Sequence, residues 1–167
     1  MGRFVTPDAC IESIYSISPE GLKKIGIKGI ILDIDNTLVP TYTTEANIKV
    51  KAFLDEMKKN GIKTAIVSNA RQQRVEQFCR HLDVEYYYKA LKPFRKGLLK
   101  AVEGMGLLPR EVAIAGDQLF TDILGGNLLG MKTLLIKPID RNEPFPVRIK
   151  RLFEKPFLRG KQYLDKF

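Results

Sequence analysis

From Ile27 onward the chain alternates short apolar runs with longer stretches in which apolar residues recur every three or four positions. The run Ile27 to Ile34 is short and almost continuously apolar, the pattern of a strand covered on both faces, and it leads into Asp-Asn-Thr. Thr43 or Thr44 is placed to cap a helix reaching about Asn60, with Ile48, Phe53, Leu54 and Met57 approximating one stripe and Gly61 closing it. Lys63 to Val67 predicts a second strand, ending at Ser68-Asn69. The alternation then repeats. Arg71 to Leu82 predicts a helix carrying Val75, Phe78 and Leu82 on one side, and Val84 to Tyr88 a third strand. Phe94 to Met105 predicts a helix entered through Lys92-Pro93 and left through Gly106. Val112 to Ala115 predicts a fourth strand running into Gly116-Asp117, followed by a helix from about Thr121 to Leu129 and a fifth strand from Lys132 to Ile136. Strands alternating with helices predict an α/β fold, a three-layer Rossmann-like parallel sheet.

From Arg141 the pattern changes. Eight basic residues (Arg141, Arg148, Lys150, Arg151, Lys155, Arg159, Lys161, Lys166) stand against Glu143, Glu154 and Asp165, so over half of the chain's net charge of +9 lies there. Pro144, Pro146, Pro156 and Gly160 interrupt a long helix and leave Val147 to Glu154 as the helical piece. The expected organisation is a single domain over residues 1–140, with its core at about 25–138, followed by a basic tail over 141–167.

A chain of 167 residues suits one domain with a real core, and hydrophobic and charged fractions of 44% and 28% exclude the disordered class. The excess of 28 Lys and Arg over 19 Asp and Glu makes anionic partners plausible: phosphate esters, nucleic acid or an acidic membrane surface. Cys10 and Cys79 lie far apart without a CxxC spacing, which indicates neither a zinc site nor a disulfide framework and suits a reducing cytoplasmic setting. Met1 to Ala9 has one Arg and no apolar core of a signal, and no later stretch approaches the roughly 18 apolar residues of a membrane span. Neither export by a visible signal nor integral membrane insertion is expected.

In an open parallel sheet, ligands bind beyond the carboxyl ends of the strands, near the point where strand order reverses. The unusual polar residues fall at that edge: Asp33 and Asp35 after the first strand, Ser68 after the second, Asp117 after the fourth, and Lys92 in the loop before a helix. Carboxylates two residues apart on an extended chain share a side, so one can work on phosphorus while the other handles a proton. With Asp117 there is enough negative charge to hold one Mg²⁺, while Ser68 and Lys92 can bind the transferring group and neutralise its oxygens. Plainer roles compete. Asp33 and Asp35 could cap a turn, Ser68 a helix, and Asp122 could be a first-turn acid favoured by the helix dipole. Lys89 and Lys96 compete with Lys92, which the following Pro93 singles out. Cys79 is expected in the core, His81 at a helix end, and Tyr86 to Tyr88 as strand packing, with an exposed Tyr near the site able to touch a substrate.

The strings DIDNTLV at 33–39, SNA at 68–70, ALKP at 90–93 and GDQLFTD at 116–122 resemble, in order, the four motifs of haloacid dehalogenase phosphatases. The wider strings GIKGIILDIDNTLV and GDQLFTDILGGN look like the YqeG branch of the capless subclass IIIA, which is similar to the phosphatidylglycerophosphate phosphatases of mitochondria. The resemblance covers residues of roughly 20 to 140. It implies that Asp33 is a nucleophile forming an aspartyl-phosphate and that Asp35 is the general acid and base, oriented by Thr37. It further implies Mg²⁺ held by the carboxylates of Asp33 and Asp117 and the backbone carbonyl of Asp35, with Asp122 supporting the metal's waters. Ser68, helped by Asn69, would bind the phosphoryl group, and Lys92 would pair with its charge and that of Asp33.

Family members acting on small metabolites often carry a cap, yet Val39 to Lys63 holds one helix and Ala70 to Leu91 one helix and one strand, which leaves no room for one. An open site favours a large or surface-bound substrate that helps exclude water. The reading that follows is a Mg²⁺-dependent phosphatase of a lipid phosphate such as phosphatidylglycerophosphate, with phosphatidylglycerol as product. Alternatives are the same site acting on nucleic-acid or protein phosphate, which the missing RNP-type aromatic strings and other nucleic-acid signatures modestly disfavour, and a phosphate-binding protein without turnover. A receiver domain has the same ingredients in an order this chain lacks. For the tail, a solvated end competes with a peripheral contact to an anionic membrane through Phe153, Phe157, Leu158, Tyr163 and the neighbouring Lys and Arg residues. Every motif handles phosphate, so the group attached to it and the oligomeric state are left open.

Overall fold

The computed structural model describes residues 2–140 and 143–167, with side chains from Phe4 onward. Six strands form one wholly parallel sheet: β1 (Ala9–Ile11), β2 (Gly29–Leu32), β3 (Lys63–Val67), β4 (Glu85–Tyr87), β5 (Val112–Gly116) and β6 (Lys132–Ile136), in the order β1-β6-β5-β2-β3-β4. All four residues of β2 are buried, Ile30 and Leu32 toward one helical layer and Ile31 toward the other, as the two-residue period of a strand in a covered sheet requires. Five of these strands are legible as apolar runs; β1 is three residues long and was not expected. It is held by pairing to β6 and by Asp8, whose carboxylate accepts the Thr133 amide at 2.8 Å and Thr133 Oγ1 at 3.0 Å.

The helices are α1 (Pro19–Lys24), α2 (Ile48–Lys59), α3 (Gln72–Cys79), α4 (Arg95–Gly104), α5 (Leu124–Leu129) and α6 (Phe145–Leu158). One layer packs Leu22 of α1, Val50, Phe53, Leu54 and Met57 of α2, and Val75 and Phe78 of α3 against the sheet. The opposite layer packs Leu98, Ala101 and Val102 of α4 on Ile31, Ala65, Val67 and Ile114. Only α2 stands between β2 and β3, and only α3 between β3 and β4, so neither crossover carries a cap.

Three local expectations give way. The cap of α2 is Asn47, whose side chain accepts the Val50 amide at 3.0 Å, in place of Thr43 or Thr44; Ile48 therefore opens the helix off its apolar stripe, 83% exposed. Leu119–Ile123, expected partly as α-helix, forms a wider turn of π-helix that feeds into α5. The tail helix runs past both of its expected ends: Pro146 falls in the first turn, where no intrahelical donor is needed, and Pro156 is carried within the last turn at the loss of one helical hydrogen bond.

The tail is packed, whereas composition left a solvated end open. The expected boundary at Arg141 lies outside the described residues. Glu154 is buried and accepts the Leu119 amide at 2.8 Å, while Leu158 and Tyr163 join Cys10, Leu119, Ile123 and Leu135. Beyond them Leu164 bridges Ile11: its amide donates to Cys10 O at 2.8 Å and its carbonyl accepts from Glu12 N at 2.9 Å. Among the described residues no helix is long and apolar enough to cross a membrane.

Candidate active site

Strands β3 and β5 flank β2, with Leu32 paired to Ala115 on one side and to Ile66 on the other, so Asp33, Asp117 and Ser68 leave the sheet at one edge. This is where strand order reverses, with β2 followed by β3 on one side and by β5 on the other. The Asp33 amide donates to Ala115 O at 3.1 Å. The chain then turns tightly: Ile34 O accepts from Thr37, Leu38 and Val39 at 3.3, 3.0 and 3.3 Å, with Asn36 at φ 59°, a left-handed conformation that Asn tolerates. The result is a cavity of about 150 Å³ lined by Asp33, Asp35, Ser68, Asn69, Lys92 and Asp117, with Glu143, Pro144 and Val147 from the C-terminal region on its wall. Thr37 and Asp122 are buried and touch it through Asp117 and Lys92.

Lys92 ties the site together. Its Nζ lies 2.8 Å from Asp33 Oδ1 and 2.6 Å from Asp122 Oδ1, with its side chain 2% exposed. Burial opposes its charge, but Asp122 and Asp33 outweigh it and hold the ammonium well above its ordinary range. Lys89 and Lys96 are both exposed. The loop carrying Lys92 is gripped by Asn69, whose Oδ1 accepts the Lys92 amide at 2.7 Å and whose Nδ2 donates to the Lys92 carbonyl at 3.0 Å. Asn69 thus acts on the backbone of the loop. Ser68 is buried, and its Oγ accepts the Ala70 amide at 3.1 Å, leaving the hydroxyl proton to be donated.

Burial lifts the Asp33 carboxyl to about 7, with Lys92 pulling it down and Asp122 and Asp35 pushing it up. Burial also raises Asp117 well above the carboxylate range; Arg151 lowers it, while Asp33 and Asp122 add to the rise. Asp33, Asp117 and Asp122 each offer an oxygen within 4.8 Å of the others, and all three are buried. Carboxylates so crowded repel one another unless cations compensate, and a set of hard oxygen donors suits a divalent ion of the Mg²⁺ type.

Two arginines complete the arrangement, and neither stands in a recognisable motif. Arg74, in α3, holds Asp35 Oδ1 at 3.0 Å from Nη2, lies 5.5 Å over the Phe78 ring, and leaves Nη1 without a partner. Arg151, in α6, bonds the Asp117 carboxylate and carbonyl, Glu143 Oε1 at 2.7 Å and Glu154 Oε2 at 3.1 Å. Thr37 was expected on Asp35; its Oγ1 donates to Asp117 Oδ1 at 3.4 Å, and it is Arg74 that meets Asp35. The only sequence signal for either arginine was its charge, since both contacts depend on how a helix is rotated against the sheet edge. Tyr86 and Tyr88, expected as strand packing, are 39% and 38% exposed and line a groove of about 600 Å³ with Leu91 and Phe94.

Residues 42–130 match a family model described as haloacid dehalogenase-like hydrolase. Over 156 residues the chain is 40% identical to "Probable phosphatase YqeG" of Bacillus subtilis, covering 93% of this chain and 91% of that protein. It is 30% identical over 167 residues to phosphatidylglycerophosphate phosphatase 1, chloroplastic/mitochondrial, of Arabidopsis thaliana, covering 94% of this chain and 48% of that protein. A Legionella pneumophila protein assigned to subfamily III A of the HAD superfamily superposes with a TM-score of 0.51 at 22% identity, over 68% of this chain and 67% of that one. The cobalt-bound deoxy-D-mannose-octulosonate 8-phosphate phosphatase YrbI of Haemophilus influenzae does so with 0.55 at 14% identity, over 82% and 90%. At such identities the two solved structures speak to fold alone.

Proposed function

The chain belongs to the haloacid dehalogenase-like hydrolases and is a phosphatase of that fold, and from this premise we propose that it works through a phosphorylated Asp33 and hydrolyses a lipid phosphate monoester such as phosphatidylglycerophosphate. The observation that carries the chemistry is the pairing of a buried Asp33, held by Lys92 at 2.8 Å, with Asp35 two residues on and engaged by Arg74. Asp33 attacks phosphorus in line, forming a P–O bond to its carboxylate as the ester P–O bond breaks. Asp35 gives its proton to the departing oxygen, then takes one from the water that attacks phosphorus, releasing inorganic phosphate and restoring Asp33. Ser68 donates its hydroxyl to a phosphoryl oxygen, and Lys92 balances charge on the transferring group and on Asp33. Asn69 and Asp122 place Lys92, one through the backbone and the other through the ammonium.

Asp33 and Asp117, with the backbone carbonyl of Asp35 and with Asp122 alongside, are the groups that would hold Mg²⁺, which when bound neutralises phosphate charge that the protein cations do not reach. The lipid assignment draws on the likeness to the Arabidopsis enzyme along nearly the whole of this chain and on the uncapped site, whose substrate or supporting surface must help exclude water.

The test is phosphate release by wild type and Asp33→Asn, with Mg²⁺ or with chelator, on phosphatidylglycerophosphate in micelles beside a 3′-phosphorylated oligonucleotide, a phosphopeptide and a small phosphate ester. Preferential turnover of the lipid is expected, falling by at least about 10³-fold in the variant and under chelation. Faster turnover of the oligonucleotide or phosphopeptide would reject the lipid assignment. Full activity in folded Asp33→Asn would reject the covalent mechanism.

A further inference from the structure

Helix α6 is amphipathic in the opposite sense to an ordinary surface helix. The side it turns to the protein carries Arg151 and Glu154, flanked by Val147 and Leu158, and both charges are consumed in ion pairs and amide contacts. The side it turns to solvent carries Phe145, Ile149, Leu152 and Phe153, exposed by 71%, 39%, 60% and 65%. Positions 145, 149 and 152 recur at three- and four-residue steps and so form one stripe, with 153 beside it, opposite the stripe of 147, 151, 154 and 158. Two of the aromatic and apolar residues expected at a membrane, Leu158 and Tyr163, face inward; Phe145, Ile149 and Leu152 take their place.

We propose that this outward face of α6 docks on an anionic lipid bilayer. Charge selects the occupant. Arg148 and Lys155 lie two turns apart on one border of the apolar stripe and Lys150 on the other, while Glu154, the single acidic residue of the helix, is buried and paired. An apolar face bordered by basic residues is the composition of helices that lie in a headgroup layer. A second copy of the chain is a poor occupant, since it would bring two basic borders together with no exposed acidic residue of the helix between them. The placement also matters for the reaction: Pro144, which caps α6, and Val147, in its first turn, line the catalytic cavity, so a bilayer on this helix lies beside the cavity wall. The inference rests on the two faces of α6 and stands whether or not the substrate is a lipid.

The experiment is flotation of the full chain with phosphatidylcholine vesicles, with and without phosphatidylglycerol, for wild type and the double variant Leu152→Ser, Phe153→Ser, whose fold is checked by thermal melting. Wild type should bind the phosphatidylglycerol vesicles at least about tenfold more tightly, and the double variant should lose about tenfold or more of that binding. A second variant, Arg148→Glu with Lys155→Glu, keeps the apolar stripe and should lose the preference for the anionic vesicle. Wild type that fails to float, or a folded Leu152→Ser, Phe153→Ser chain that floats equally well, overturns the proposal. So does a lipid-free wild-type dimer that the double variant abolishes, which would give the face to a second copy.

Discussion

Lys92 pairs with Asp33 and Asp122 at once, and all three are buried. Lys92→Ala would leave two close carboxylates without their cation, a loss of about 3–5 kcal/mol of stability measured by chemical denaturation. Added Mg²⁺ should recover more stability in that variant than in wild type, because it would replace a charge that wild type already has. Arg74 sits differently, on a partly exposed Asp35, so its removal acts on geometry more than on folding. Arg74→Ala should lower kcat by about tenfold or more with KM little changed, in steady-state kinetics on a small phosphate ester. The contrast between these residues explains what could be read beforehand. Asp33, Asp35, Ser68, Asn69, Lys92 and Asp117 follow strands or sit in short strings, so spacing alone brings them to one edge. Arg74 and Arg151 reach their carboxylates from helix positions 39 and 34 residues away in the chain, a contact that no local pattern encodes.

At the scale of elements, those from β2 onward were legible, the three-residue β4 and six-residue α5 included, whereas β1 and α1 were not. β1 has three residues and α1 six, both lie before the first long apolar run, and both are held by tertiary partners: β1 by pairing to β6, α1 by Leu22 in the core. Thr43, Thr44 and Asn47 have the same capping chemistry, and the choice among them is made by where the path from β2 delivers the chain. Close packing of α5 on the sheet was equally hidden in sequence. A methyl group at Gly126 would lie 2.7 Å from Thr133 Cγ2 and closer still to Ile114 Cγ2, both on buried strand residues. Gly126→Ala should therefore cost about 1–3 kcal/mol despite the higher helix propensity of Ala, read as a lowered denaturant midpoint.

For the whole molecule, the uncapped three-layer architecture was visible because the distances between motifs leave room only for single crossover helices. The tail was not, because its composition is that of a solvated segment and its docking depends on a buried Glu154 and on one arginine shared among three acidic residues. The chain that follows α6 has a further consequence. Leu164 occupies the outer hydrogen-bonding side of β1, where a parallel sheet would otherwise end in unpaired amides and carbonyls. A chain cut after Gly160 would present that strand as a template for its neighbours, and its solutions should turn turbid on standing under conditions that leave the full chain clear by light scattering. The last few residues thus act as a selvedge, keeping the weave of one molecule from being continued by the next.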